Sequence, residues 1–373
     1  MRHIALATLL VTTSVFADEF IGFSAYENGD YTTAYQQLIQ PAKSGNEEAM
    51  YVIGRMYQYG YGVNRSPVKA LEWYQKAAEK NYALAQLGLG FMYDTGDGVQ
   101  QDYKKAFEWY KKSALQGNAI AERNVALMYA SGDGVKADAR EAFSWFKKSA
   151  VHGYSKAQVN LGYYYMLGDG VKKDPEQAFF WYKKAAEQDD PKGQYSLGVL
   201  YTGKYGIPED EAQATYWFSQ AANNGHRGAQ ASLAYQYLNG LGIERNPEKA
   251  VYWYQKSAEA GSTDAQTALG QLYMTGTGVD KDYKQAVYWF GEAAGYGDPL
   301  AQGKLGYLYM AGLGVSKDNA RAYAWLTLAS KGGDAQAQKD LSGLEKNMSA
   351  SERTDGEAFL KNIEIRTPPP ESD

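Results

Sequence analysis

The 373-residue chain carries 38 basic and 43 acidic side chains, a formal charge of −5. That balance disfavours an extended cationic face, and with it nucleic acid as the main partner. At 45% hydrophobic residues the chain is too apolar to be intrinsically disordered, and the lack of cysteine excludes disulfides, thiolate metal sites and a cysteine nucleophile.

The first predicted element is an address. Met1-Arg2-His3 gives a short basic start, Ile4 to Val15 is mostly apolar, and Val15-Phe16-Ala17 offers small or apolar groups at the −3 and −1 positions of a cleavage site. This is the layout of a secretory signal peptide over residues 1–17, so the chain is expected to be exported, either periplasmic or secreted. The run is too short to span a bilayer, which takes roughly 20 apolar residues. Residues 18–45 read as an N-terminal capping half-repeat. Asp30, Ala34, Ala42 and Gly45 there stand 36 residues before Ser66, Ala70, Ala78 and Asn81, with Gln37 in place of a tryptophan.

From 46 to 333 a period of 36 organises the chain into eight repeats. The tryptophans mark it without insertion: Trp73, Trp109, Trp145, Trp181, Trp217, Trp253, Trp289 and Trp325. Alanine stands three residues before each, as Ala70 and Ala106, and tyrosine sixteen before, as Tyr57 and Tyr93. Nineteen before is Gly or Ala, beginning with Gly54 and Gly90. Gly54 and Tyr57 share a helix face, which predicts a helix A over Glu48–Tyr59 in the first repeat, ended by Gly60 in a left-handed conformation. Seven before each Trp stands an N-cap type (Ser66, Asp102, Asp138, Asp174, Asp210, Asn246, Asp282, Asp318), with Pro67, Pro175 and Pro247 following at the first helical position. Helix B then carries Ala70, Trp73 and Ala77 on one face and stops near Gly117, Gly153, Gly225 or Gly261 in successive repeats. The Trp, Tyr and Ala columns are expected to be core. The fifth repeat is irregular, because Gly203-Lys204-Tyr205-Gly206 shifts the first turn glycine by one and Gly193 replaces the helix-A alanine; a local bend is expected there. After the last repeat come two capping helices within 334–362 and a disordered tail over 363–373, where Pro368-Pro369-Pro370 forbids a helix.

The pattern Ala85-x4-Gly90-x2-Tyr93-x2-Gly96-Asp97-Gly98-Val99-x2-Asp102-x3-Ala106-x2-Trp109-Tyr110 resembles the Sel1-like repeat family, relatives of tetratricopeptide repeats. The resemblance implies an all-α fold, an α/α superhelical solenoid with concave and convex faces, and use as an adaptor that assembles or recognises other proteins. Exported bacterial members include host-interaction and virulence factors. Some secreted relatives are disulfide-rich, which this cysteine-free chain is not.

Positions that vary between repeats are free for recognition. Two columns stand out by analogy with the parent repeat class: eighteen before each Trp (Arg55, Phe91, Leu127, Tyr163, Val199, Tyr235, Gln271, Tyr307) and fifteen before (Gln58, Asp94, Ala130, Met166, Thr202, Leu238, Met274, Met310). They are expected either to face a concave groove for a peptide or helix, or to contact the next repeat. The partner-binding candidates are Arg55, Phe91, Tyr163, Met166, Tyr235, Leu238, Met274, Tyr307 and Met310. Lysines follow the first four tryptophans at Lys76, Lys111, Lys112, Lys147, Lys148, Lys183 and Lys184. They read either as an anionic-surface ladder or as cations complementing helix C-termini.

Signals of catalysis are poor. His152 and His226 fall at unequivalent repeat positions, with no second His at ligand spacing. Ser66-Pro67-Val68-Lys69 matches an S-x-x-K pattern, but its serine occupies the N-cap column and no Ser-Asp-Asn or Lys-Thr-Gly follows. No enzyme activity, cofactor, metal or small-molecule substrate is expected. The reading is an exported, non-enzymatic protein-binding scaffold of a Gram-negative bacterium, with partners in the host (cell entry, intracellular trafficking). The alternatives are a periplasmic envelope adaptor and a binder of anionic lipid such as phosphoinositide.

Overall fold

The computed structural model describes residues 19–367 and 369, so the signal-peptide segment lies outside the described residues. Every regular element among the described residues is a helix. Helix α1 covers 19–27 and α2 Tyr31–Ser44. The first four repeats pair α3 (Glu47–Tyr59) with α4 (Pro67–Glu79), α5 (Ala83–Thr95) with α6 (Tyr103–Ala114), α7 (Ala119–Ser131) with α8 (Ala139–Val151), and α9 (Ser155–Leu167) with α10 (Pro175–Ala186). The last four pair α11 (Pro191–Tyr201) with α12 (Glu211–Asn223), α13 (Arg227–Asn239) with α14 (Pro247–Glu259), α15 (Thr263–Thr275) with α16 (Tyr283–Gly295), and α17 (Pro299–Ala311) with α18 (Asn319–Lys331). Helices α19 (Ala335–Glu345) and α20 (Ala350–Lys361) close the array. The chain divides into two compact halves, one ending at Ala185 and one beginning at Ala186.

Seven of the eight A–B turns have the same construction. Helix A ends on a left-handed glycine such as Gly60 or Gly96, whose N–H returns to the last turn of the helix. The amide of every N-cap residue then donates to the carbonyl of the column tyrosine, from Ser66 on Tyr57 to Asp318 on Tyr309, at 2.7–3.0 Å. The side chains of Asp102, Asp138, Asp174, Asp210, Asn246, Asp282 and Asp318 cap helix B as expected, whereas Ser66 makes no side-chain cap bond. In the fifth repeat α11 is 11 residues long against 13 for α9, ends on Thr202, and moves the left-handed glycine to Gly203. Where helix B is not followed by glycine, Asn81 and Asp189 take the positive φ instead, a conformation these side chains tolerate.

The alanine column is fully buried from Ala70 to Ala322. The tryptophan column is not the deepest part of the core, which corrects the sequence expectation: only Trp145 and Trp289 are buried, and the others are half-buried. The interior is filled by the residue that follows each Trp: Tyr74, Tyr110, Phe146, Tyr182, Phe218, Tyr254, Phe290 and Leu326. This ring explains the small column on helix A. A β-carbon on Gly54 would stand 2.6 Å from the Tyr74 ring, and one on Gly270 2.9 Å from Phe290. The glycine thus lets helix B approach closely enough for this side chain to lie against the backbone of helix A.

A buried glutamine column joins successive repeats. Gln158, Gln266 and Gln302 each donate from Nε2 to a carbonyl in the last turn of the preceding helix B (Ala150, Ala258, Ala294) at 3.2 Å, adding a second bond to an oxygen that already accepts from the turn glycine. In the third repeat the same position is Glu122, buried and 2.7 Å from His152 Nδ1. A carboxylate cannot donate to the carbonyl before it. Glu122→Gln is therefore expected to raise stability by about 1 kcal/mol, with the amide oxygen still accepting from His152. Urea unfolding checks this; a clear loss of stability would mean that the ionic pair outweighs the amide.

The C-terminal helices pack on α18. Phe359 stands edge-on to Trp325, and Asn319 Nδ2 donates to Glu352 at 2.8 Å. Beyond α20 the described residues lie against the repeats. The Arg366 amide donates to Gly295 O at 2.8 Å, its guanidinium donates to Glu292 O at 2.9 Å and lies 4.2 Å from the Tyr296 ring centre. Arg227 Nη1 donates to Pro369 O at 2.9 Å. Proline forbids helix but not an extended strap, and the last carbonyls of α16 are open acceptors for an arginine.

Candidate protein-interaction surface

The A helices carry side chains on one face that no repeat contact requires. Residues seven apart on a helix share a face, so Leu84 and Phe91 on α5, and Ile120 and Leu127 on α7, form parallel pairs. All four are exposed, as are Tyr163 and Leu167 on α9. In the C-terminal half Tyr235 on α13 is 54% exposed, and Leu300 and Tyr307 on α17 are also open. The column eighteen before each Trp is thus the outward column of helix A. Two cavities open on this face of the C-terminal half. One of about 540 Å³ is lined by Val199 and Tyr235 among others, and one of about 310 Å³ by Met274, Leu300, Tyr307 and Asp340.

The structure separates the two candidate columns. Phe91, Tyr163, Tyr235 and Tyr307 are exposed. Arg55 is half-buried, its guanidinium 5.8 Å from the Tyr26 ring centre and 5.6 Å from that of Tyr59. The column fifteen before Trp instead serves the core ring. The Tyr74 hydroxyl donates to Gln58 Oε1 at 2.8 Å and the Tyr110 hydroxyl to Asp94 at 3.2 Å. Leu238 packs against the cluster of Tyr254, Met274 against that of Phe290, and Met310 against that of Leu326. Met166 is half-buried. Leu238, Met274 and Met310 therefore pack between elements of the repeats, against clusters built on Tyr254, Phe290 and Leu326.

Burial dominates the acid–base behaviour here. It holds the Asp94 carboxyl above its ordinary value, opposed by the Tyr110 hydroxyl bond and reinforced by the like charge of Asp133. Burial likewise pushes the Tyr254 phenol up to about 12.

The lysines lie mostly along their own helices. Lys76, Lys112 and Lys148 stand 4.6, 3.9 and 3.6 Å from the ring centres of Trp73, Trp109 and Trp145, and Lys111 stands 5.5 Å from Phe107. Lys184 reaches Phe180 at 6.0 Å, while Lys147 and Lys183 are exposed. Each cation–π contact contributes about 0.5–1 kcal/mol at such sites. His226 is a helix cap, its Nδ1 accepting from the Ala229 amide at 3.1 Å. Lys69 Nζ lies 5.1 Å from the Tyr57 ring centre, and no hydrogen bond joins it to Ser66 among the described residues. No group of three or more His, Cys, Asp or Glu among the described residues is placed to hold a metal ion, and no helix there is long and apolar enough to cross a membrane.

A second exposed column escaped the sequence reading. The residue before Trp is Glu72, Glu108 and Ser144 in the first three repeats and aromatic in the next four: Phe180, Tyr216, Tyr252, Tyr288. These rings are exposed, each edge-on to the adjacent Trp at 4.8–5.1 Å between centres. The change from charged to aromatic within one column was the available signal.

Repeated side chains turned inward and variable ones left outward define a helical-repeat solenoid of the kind that serves as a protein-interaction scaffold. The sequence profile of the Sel1 repeat matches residues 47–82, 83–118, 119–154, 155–190, 191–226, 228–262, 263–295 and 299–334. The chain belongs to the Sel1 repeat family, which is not typically enzymatic. It is similar to c5321, a protective antigen present in uropathogenic Escherichia coli strains and displaying an SLR fold: 35% identity over 94% of this chain and 76% of that one, TM-score 0.82. It is also similar to a Sel1 repeat protein from Oxalobacter formigenes, at 30% identity over 83% of this chain and 89% of that one, TM-score 0.63. Among curated proteins there is no match.

Proposed function

We propose that this chain is an exported, non-enzymatic scaffold of a Gram-negative bacterium that recognises protein partners through the outward column of its A helices, and that the partners are host proteins met during cell entry or intracellular trafficking. The observation that carries the recognition role is the exposure of Phe91, Tyr163, Tyr235 and Tyr307 at equivalent positions of alternate A helices, with Leu127 exposed at the same position of α7. Aromatic anchors supply most of the energy at protein interfaces, and nothing in the packing of the repeats requires these rings to be large. Export is supported by the order of basic, apolar and cleavage segments over residues 1–17. The host-facing role is supported by the likeness to a protective antigen of a pathogen.

Expression of the whole chain in a Gram-negative host is expected to yield periplasmic or secreted protein with Asp18 at its N-terminus; cytoplasmic protein retaining Met1 rejects export. Cross-linking with mass spectrometry, on host lysate and on bacterial envelope extract in parallel, tests the partner. A host protein captured by the parent chain and lost from the Phe91→Ser/Tyr163→Ser/Tyr235→Ser/Tyr307→Ser variant is the expected result. Capture from the envelope extract alone replaces the host-facing role by an envelope adaptor.

A further inference from the structure

Within the N-terminal half, the outward face of the A helices is bordered by acid at one edge. Helices α5, α7 and α9 all end at that edge, on Gly96, Gly132 and Gly168, so their partial negative ends converge there. The turns that follow carry Asp97, Asp133 and Asp169 at the same repeat position. Asp97 is neutralised by Arg65, whose Nη2 lies 2.6 Å away. One repeat later the position of Arg65 is Gln101, and one further it is Ala137, so the cation that would answer Asp133 and Asp169 has been lost. Lys136, Lys172 and Lys173 lie near in sequence but form no ion pair with either acid among the described residues. Half-buried Asp94, whose carboxylate takes the Tyr110 hydroxyl, lies behind this edge and close enough to Asp133 to feel its charge. Among the described residues the cations on this face stand toward the starts of α7 and α9, away from the acidic turns: Arg123, which donates to Asn160 Oδ1 at 3.0 Å, and exposed Lys156, seven residues before Tyr163.

We propose that this face takes a cationic amphipathic segment, with apolar side chains seated on Phe91, Leu127 and Tyr163 and a basic edge against the exposed Asp133 and Asp169. The inference rests on the reading of the A-helix face as the recognition surface and specifies the chemistry of its partner. An apolar stripe alone would accept any amphipathic segment. The uncompensated edge makes the surface selective, because a like-charged partner is repelled and an oppositely charged one is steered in.

Fluorescence anisotropy on the full-length chain tests it, with a labelled 18-residue helical peptide of leucine and lysine and its leucine–glutamate counterpart as probes. The lysine peptide is expected to bind at least about tenfold tighter than the glutamate peptide at low salt, with the gap closing as salt is raised. Asp133→Asn/Asp169→Asn is expected to weaken the lysine peptide about tenfold, at unchanged melting temperature. Phe91→Ser/Tyr163→Ser is expected to weaken it at least as much. Equal binding of the two peptides, no binding of the lysine peptide, or full binding to the aspartate variant overturns the charge selection and leaves the recognition face standing. Full binding to the Phe91→Ser/Tyr163→Ser variant overturns the face itself.

Discussion

Phe290→Ala is expected to destabilise the C-terminal half by about 3–5 kcal/mol, and Trp253→Ala by distinctly less. Phe290 is completely buried, with the backbone of Gly270 directly against its ring and Ala286, Ala293 and Leu305 in the same cluster. Removing the ring leaves a cavity that backbone-to-ring packing cannot close, since the closest approach on the facing helix is a glycine and only Met274 could fill part of the space. Trp253 is half-buried and stands edge-on to an exposed tyrosine, so part of its surface already meets water. In stacked repeats the loss spreads to neighbours through their interfaces, and the unfolding midpoint and slope should be read together. Urea unfolding of the two variants decides it. A larger cost for Trp253→Ala would return the tryptophan column to the centre of the core.

The period, the turns and the caps were legible in the sequence because each rests on a backbone need that admits few residue types. A left-handed turn takes Gly60 or Gly96, and an N-cap takes Asp102 or Asn246, whatever surrounds them. The core ring was not legible in the same way. Its column accepts Tyr74, Phe146 or Leu326, because depth constrains volume rather than chemistry, whereas the tryptophan beside it never varies. Strict repetition therefore pointed to the half-exposed seam instead of the interior. The fifteen-before column left two readings open in the sequence, groove or contact between repeats, because a Met suits both: Met274 packs against the Phe290 cluster and also lines a cavity, and Met310 packs against the Leu326 cluster. The eighteen-before column sits three residues away, toward solvent on the same helix, where Phe91 and Tyr163 are exposed. The Arg366 strap had no local signal at all, its partner Glu292 lying 74 residues away.

Removing residues 334–373 is expected to leave a chain that self-associates at micromolar concentration and melts well below the whole protein. Helix α18 is the last repeat helix, and its Ala322, Leu326 and Ala329 are completely buried only because α19 and α20 lie beside it along with α17. Gly356 of α20 sits against the Tyr323 ring, and Phe359 covers Trp325. Each large apolar side chain fully uncovered forfeits about 1.5–3 kcal/mol. The exposed face would also match the stacking surface that every internal repeat offers its neighbour, so a second truncated chain is a ready partner. The cap is held at its start by a reciprocal bond between Ser349 and Glu352, which keeps the Glu352 carboxyl below its ordinary value. That contribution is complete above the ordinary carboxylate range and is lost as pH falls through the lowered value, so acid should loosen α20 first. Truncation after Asn362 removes only the strap and is expected to leave the chain soluble, with a small drop in melting temperature. Size-exclusion chromatography and thermal melts of the two truncations separate these effects; a chain ending at 333 that stayed monomeric and as heat-resistant as the whole would show that α19 and α20 are ornaments on an array able to end by itself.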